Sequence, residues 1–324
     1  MPAAICLGEL LIDFVSQRMN QPLSALPPFL GAAGGAPANV AVGLARQGVD
    51  AGFVGKVGDD PFGQHLQRTV AEAGVDTSHL LTTAQARTTI VFVAQRSDGR
   101  KDLCFYRHPG ADMMLAPADL DADYLASAQL FHFGSVSLSA SPQREATVEA
   151  VRMAKAAGAL ISYDPNWRPG VWADAGEGKA WIWRMMDAAA VVKLAEEEFE
   201  FVTGTSDQEA GCQRVLEMGP ELVVVTRGSQ GCYYQTRRLK GAVSGFAVAV
   251  VDPLGAGDGF NAAMLARLLG AGPPSQMSRA ELDAIMTWAN AAGALTCMSN
   301  GVIPSLPTTD QVSQFLDRQR HGFE

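Results

Sequence analysis

The 324-residue sequence predicts an α/β fold built around a mostly parallel sheet, with a small β layer added to it. Three observations carry that prediction. Short apolar runs alternate along the chain with segments whose apolar residues recur at three- and four-residue spacing. Helix stops and turn residues separate them. One stretch, residues 88–108, breaks the alternation with two consecutive β runs.

The elements follow in order. "AAICLGELLIDF" (3–14), interrupted by Glu9 and Asp13 and with no basic n-region before it, reads as a first strand. "PANVAVGLARQG" (37–48) reads as a helix, with Pro37 in the first turn, Val40 and Leu44 on one face, and Gly48 as the stop. "AGFVGKVG" (51–58) returns as a strand. "DPFGQHLQRTVAEAG" (60–74) is a helix capped by Asp60, with Phe62, Leu66, Val70 and Ala73 on one face. Helices are then expected over 142–157, 195–203 and 258–269, and strands over 159–163, 188–194 and 221–226. In the 258–269 helix Phe260, Met264 and Leu268 form a core stripe.

Within 88–108 the two β runs flank Ser97-Asp98-Gly99, a strong hairpin signal. Residues 14–33 are non-helical and punctuated by proline. Together, approximately 14–33 and 87–112 are expected to form a β lid inserted in one domain spanning 1–324.

Composition narrows the function classes. A formal net charge of −9 argues against a nucleic-acid partner, because polyanions need a basic surface. It leaves nucleotides open, since local N–H groups and a metal can hold phosphates. The chain is 48% hydrophobic with no run of membrane-spanning length, so no membrane partner and a cytoplasmic location are expected. Cys6, Cys104, Cys212, Cys232 and Cys297 are scattered without a C-x-x-C pair, a poor disulfide or metal framework.

The chemistry centres on "DPLGAGDGF" (252–260). Small residues before a helix leave N–H groups bare and attract anions. Asp258 is itself an anion, and alone it reads as a helix cap. Both features make sense if a phosphoryl group rests on the amides of Gly255, Ala256 and Gly257 while Asp258 takes the proton of an attacking hydroxyl. A dehydrogenase would need G-x-G-x-x-G after the first strand, and a P-loop enzyme G-x-x-x-x-G-K-[ST]; the sequence has neither.

With Gly34-Gly35-Ala36-Pro37-Ala38-Asn39 and "VGKVGDDPFG" (54–63), this stretch resembles the signatures of the ribokinase-like carbohydrate kinases of PfkB type, in order from about residue 5 to 310. Pro253 replaces the family's Thr. The resemblance implies a ribokinase-like three-layer sandwich with a β-sheet lid. It implies that Asp13, Gly34, Gly35 and Asn39 hold sugar hydroxyls, and that Arg107 and Arg168 could contact the sugar or the transferring phosphate. Lys193, Thr226, Gly228, Gly231 and Asn290 fall on the ATP side. Glu198 matches a glutamate that acts on Mg²⁺ through water, although Ala195 stands where the family has Asn. Asp252, Leu254, Thr296, Ser299, Gly301 and Ser305 resemble a monovalent-cation loop, with K⁺ as the expected ion.

"GELLIDF" (8–14), "FYRHPGADMML" (105–115), "FHFGSVSL" (131–138) and "DPNWRPGVW" (164–172) look most like the fructokinases within the family. That implies transfer of the ATP γ-phosphate to the C6 hydroxyl of D-fructose. The 2-keto-3-deoxygluconate kinases share the D-x-N-x-R turn and are the alternative; a catalytically weak sugar sensor is the non-enzyme alternative. An exposed lid edge is expected to pair in a homodimer.

Overall fold

The computed structural model describes residues 1–96 and 101–321. In chain order the strands are β1 (Ala4–Leu7), β2 (Leu11–Ser16), β3 (Phe29–Gly34), β4 (Ala51–Gly58), β5 (Leu80–Thr83), β6 (Ile90–Gln95), β7 (Lys101–Tyr106), β8 (Leu130–Gly134), β9 (Leu160–Asp164), β10 (Val191–Ala195), β11 (Leu222–Thr226), β12 (Cys232–Gln235) and β13 (Lys240–Val243). The helices are α1 (Ala36–Arg46), α2 (Pro61–Glu72), α3 (Ala122–Ala126), α4 (Gln143–Ala156), α5 (Ala175–Arg184), α6 (Glu196–Thr203), α7 (Gln208–Glu217), α8 (Ala256–Leu268), α9 (Arg279–Thr296), α10 (Val302–Ser305) and α11 (Thr309–His321).

Nine strands form one sheet in the order β13-β12-β11-β10-β9-β8-β1-β4-β5, parallel except for β12 and β13 at one edge. Successive strand side chains point to opposite faces. Ala4, Cys6, Val191, Leu222 and Val224 therefore pack on one side with α1, α2, α8 and α9. Ile5, Leu7, Phe131, Tyr163, Val192 and Val225 pack on the other with α3 to α7. Strands buried on both faces explain the near-continuous apolar runs of the sequence. The four remaining strands form a separate sheet, β3-β2-β6-β7, with a small core of Leu11, Val91 and Val93.

The strand β4 matches its expected limits, and Asp60 caps α2 by accepting a hydrogen bond from the Gly63 amide at 2.9 Å. Phe260, Met264 and Leu268 are buried as expected. Phe62 is not: it is 40% exposed and meets Phe14 edge-on. The strand expected at 188–194 begins at Val191, after a short 3₁₀ turn at Met186–Ala188.

The single strand expected over 3–14 is two strands belonging to different sheets. The chain leaves the large sheet at Gly8, which lies so close to Pro37 that an added Cβ would stand 2.5 Å from its Cγ. It enters the second sheet at Leu11, so Asp13 sits within a strand of the small sheet. The hairpin is present, with β6 and β7 antiparallel from Ile90↔Tyr106 to Gln95↔Lys101. Its expected turn, Ser97-Asp98-Gly99, lies outside the described residues. Among the described residues no helix is long and apolar enough to cross a membrane.

Candidate active site

The ends of the neighbouring strands β9 and β10 bring Asp164 and Lys193 to the start of α8, at the carboxyl edge where an open α/β sheet usually binds its ligand. The helix opens at Ala256, with Gly255 as its cap at φ 77°. Asp258 is therefore the third helical residue, not the cap the lone residue suggested. Its Oδ2 accepts a hydrogen bond from Asn39 Nδ2 at 2.8 Å, joining segments 219 residues apart. Asp258 is half-buried. Burial pushes its carboxyl up to about 6, against the Asn39 bond and the charge of Lys193.

Only glycine fits at 255. An added Cβ would run into the Val302 side chain, and φ 77° is costly for other residues. Gly255→Ala should lose about 2–4 kcal/mol of stability by denaturant melting. Turnover should fall with it, because the following amides would be displaced.

Lys193 supplies the positive charge beneath those amides. Its Nζ donates to Asp164 Oδ2 at 2.9 Å, and both side chains are buried. A Cβ on Gly257 would sit 3.2 Å from the same Nζ. Burial disfavours the ammonium, but Asp164, Glu198 and Asp258 together hold its pKa above the ordinary lysine value. Glu198 is buried and caps the opening of α6: Oε1 accepts from the Ala195 amide at 2.9 Å and Oε2 from the Trp167 amide at 2.5 Å. Burial and the charge of Asp164 raise its pKa. Backbone amides thus hold Glu198, and the Ala195 side chain takes no part in fixing it.

On the other side of the cleft, Asp13 in β2 lies directly over Gly34, where a Cβ would collide with its Oδ2. Gly35, at φ 113°, presses on the Glu9 carbonyl. Gly34 and Gly35 lead straight into the helix carrying Asn39, so the residues expected to hold the sugar are joined to Asp258 by one hydrogen bond. Arg168 spends one bond on the Trp167 carbonyl at 3.1 Å and lies close enough to Asp258 to lower its pKa.

Arg107 stands apart. It is 4% exposed, with donors committed to Asp112, Ser139, Gln143 and the Val136 carbonyl. The expected sugar or phosphate contact therefore gives way to a buried strut linking the segment after β7 to the large domain.

The nucleotide-side residues gather around β11 and β12. Thr226 closes β11, with its hydroxyl 3.4 Å from the Leu194 carbonyl, and Gly228 is open to solvent. Gly231 packs against residues 243–245. Asn290 donates to the Val243 and Ser244 carbonyls at 3.1 and 3.2 Å and holds that segment in place. The cation-loop residues also meet. The Asp252 carboxylate accepts from Leu254 and Gly301 amides, the Asp252 amide bonds the Cys297 carbonyl, and Ser305 Oγ donates to Gly301 O. Thr296 is buried, and Ser299 lies in the same turn.

Three residues were missed by sequence reasoning. Asp164 was visible only as part of a turn, though a carboxylate ending a strand beside a buried lysine is a recognisable signal. Glu9 bonds the Ala36 amide at 3.2 Å, and burial pushes its carboxyl up to about 7. Gln95, at the end of β6, donates to Asp252 Oδ1 at 3.0 Å, and nothing in its sequence context marks it.

The pfkB family carbohydrate kinase profile matches residues 1–309. Fructokinase-1 of Oryza sativa subsp. japonica is 42% identical over 314 residues, 97% of each chain. The structure of fructokinase with bound ATP from Xylella fastidiosa superposes with a TM-score of 0.90 at 33% identity, over 99% of this chain and 100% of that one. A fructokinase double mutant from Vibrio cholerae O395, bound to fructose, ADP and potassium ion, gives 0.87 at 34% identity, over 98% of both chains.

Proposed function

Because the chain belongs to the pfkB family of carbohydrate kinases, with the ribokinase-like fold of that family, we infer that it is an ATP-dependent fructokinase phosphorylating the C6 hydroxyl of D-fructose. One observation carries the mechanism: the Asn39–Asp258 hydrogen bond, which unites the sugar-side and phosphate-side segments at one carboxylate.

Asp13 and Asn39 bind and orient the sugar, while Gly34 and Gly35 let it approach the backbone. Asp258 accepts the hydroxyl proton as the sugar oxygen attacks the γ-phosphorus and the bond to the ADP oxygen breaks. The amides of Gly255, Ala256 and Gly257, with Lys193 beneath them and Arg168 beside, offset the charge on the transferring group. Thr226, Gly228 and Gly231 line the nucleotide, and Asn290 fixes the segment against which it rests. The β2-β3-β6-β7 sheet serves as a lid that excludes water.

The donor set bears on the metals. Each Glu198 oxygen accepts one amide hydrogen and keeps a second lone pair, so the fixed carboxylate fits a role toward a magnesium ion through water. Magnesium would neutralise charge on the ATP phosphates. The carbonyls of Asp252, Leu254, Thr296, Ser299 and Gly301, with Ser305 Oγ, are neutral oxygen donors suited to K⁺, which would steady the loop before Gly255. Phe14, Phe29, Phe92 and Tyr106 form an aromatic cluster on the small sheet, and the exposure of Tyr106, at 64%, supports a homodimer through the lid.

The test is coupled ADP release with Mg-ATP across a panel of hexoses and keto-deoxy acids, compared by kcat/KM. Fructose should lead by at least about tenfold, the least that a site hydrogen-bonding its substrate's hydroxyls should give. Preference for 2-keto-3-deoxygluconate would replace the fructose assignment, and binding without turnover would identify a sensor.

A further inference from the structure

Asp13 and Gln95 share one face of the four-stranded sheet. Asp13 pairs with Val91 on β6, and alternation puts Val91, Val93 and Gln95 on the same side. Gln95 lies four positions after Val91, about 13 Å along the strand. One end of this face thus carries the proposed sugar carboxylate. The other end touches the phosphate-side loop, where Gln95 Nε2 donates to Asp252 Oδ1 at 3.0 Å, 157 residues away.

Asp252 is the tie point of that loop. It is 7% exposed, its Oδ1 also accepts from the Leu254 amide at 3.0 Å, and its Oδ2 accepts from the Gly301 amide at 3.3 Å. Leu254 immediately precedes Gly255 and the anion-binding amides. Gln95 is steadied from the other hairpin of the sheet, because its carbonyl accepts from the Asn20 amide at 2.9 Å. The bond therefore bridges the sheet that meets the sugar and the loop that meets the phosphates.

We propose that Gln95 is a positioning residue that latches the sugar-binding sheet to Asp252, so that fructose binding tightens the nucleotide site. The proposal rests on the fructokinase reading above. The Gln95 bond to Asp252 belongs to the closed position of the sheet, and sugar held between Asp13 and Asn39 keeps the sheet in that position. The carboxylate then holds Leu254 and Gly301 in the arrangement that presents the amides of 255–257. Coupling through a shared contact is reciprocal, so nucleotide must tighten fructose by the same factor.

The test is calorimetric titration of Mg-ADP with and without saturating fructose, a pair that cannot react, on wild type, Gln95→Ala and Gln95→Glu. Wild type should bind Mg-ADP at least about fivefold tighter with fructose, the lower end of ordinary coupling. In Gln95→Ala that factor should fall to about one to two, while each ligand alone keeps its wild-type affinity. Gln95→Glu keeps the side-chain length but puts a carboxylate against Asp252, and should lose coupling at least as completely. A merely structural role would weaken each ligand alone and leave the ratio unchanged. Full coupling in either variant, or none in wild type, overturns the latch while fructose still binds. Absence of fructose binding to wild type overturns the fructose reading, and the latch with it.

Discussion

Asp258→Asn is expected to lower turnover by about 10²–10⁴, the usual worth of a general base and roughly 3–5 kcal/mol of barrier. The substitution keeps the shape and can keep the Asn39 contact, so fructose should still bind by calorimetry. The pH profile adds a second signature. Burial raises the Asp258 carboxyl to about 6, and only the ionised form can accept the proton. Wild-type kcat/KM, which reports the free enzyme, should fall below about pH 6 with limiting unit slope, and the variant should lack that limb. Stability supplies the control. A carboxyl whose pKa is raised on folding contributes stability that is full below its unfolded value and lost as pH rises through 6. At pH 8 wild type carries the cost of the ionised group, so Asp258→Asn should melt no lower. Turnover near wild type would remove Asp258 from the mechanism.

Lys193→Met is expected to damage folding and catalysis by separable routes. Breaking a buried ion pair from one side strands its partner, here Asp164, at a cost of about 3–5 kcal/mol in denaturant melts. Catalysis loses the only charge beneath Gly257 among the described side chains facing it, and kcat/KM for ATP should fall by about 10²–10³. The double variant Lys193→Met, Asp164→Asn tells the routes apart. Removing both charges should restore most of the stability, whereas activity should stay low. Without the lysine, Asp258 also loses a neighbour that lowers its pKa, so the acid limb should move upward in pH. Recovery of activity along with stability would mean that Lys193 is structural alone.

The signal for the site was uneven along the chain. Gly255, Ala256, Gly257 and Asp258 were legible because glycines before a carboxylate and a helix have few structural uses. Arg107 looked like a ligand, but only the fold shows that its guanidinium is engaged by Asp112, five residues on, together with Ser139 and Gln143 from beyond β8. Asp252 was expected to offer a carbonyl; its side chain proves to bind three segments at once. The chain break at Gly8 was hidden because an apolar run looks the same whether it serves one sheet or two.

By itself the sequence determined the α/β alternation, the hairpin strands and the acid beside the bare amides, since periodicity and backbone freedom are local properties that neighbouring residues express. The tertiary structure alone decided which distant groups meet: Asn39 with Asp258, Lys193 with Asp164, Gln95 with Asp252. Those pairings depend on parallel strands brought side by side by intervening helices, and no local rule records where such crossovers set a side chain down.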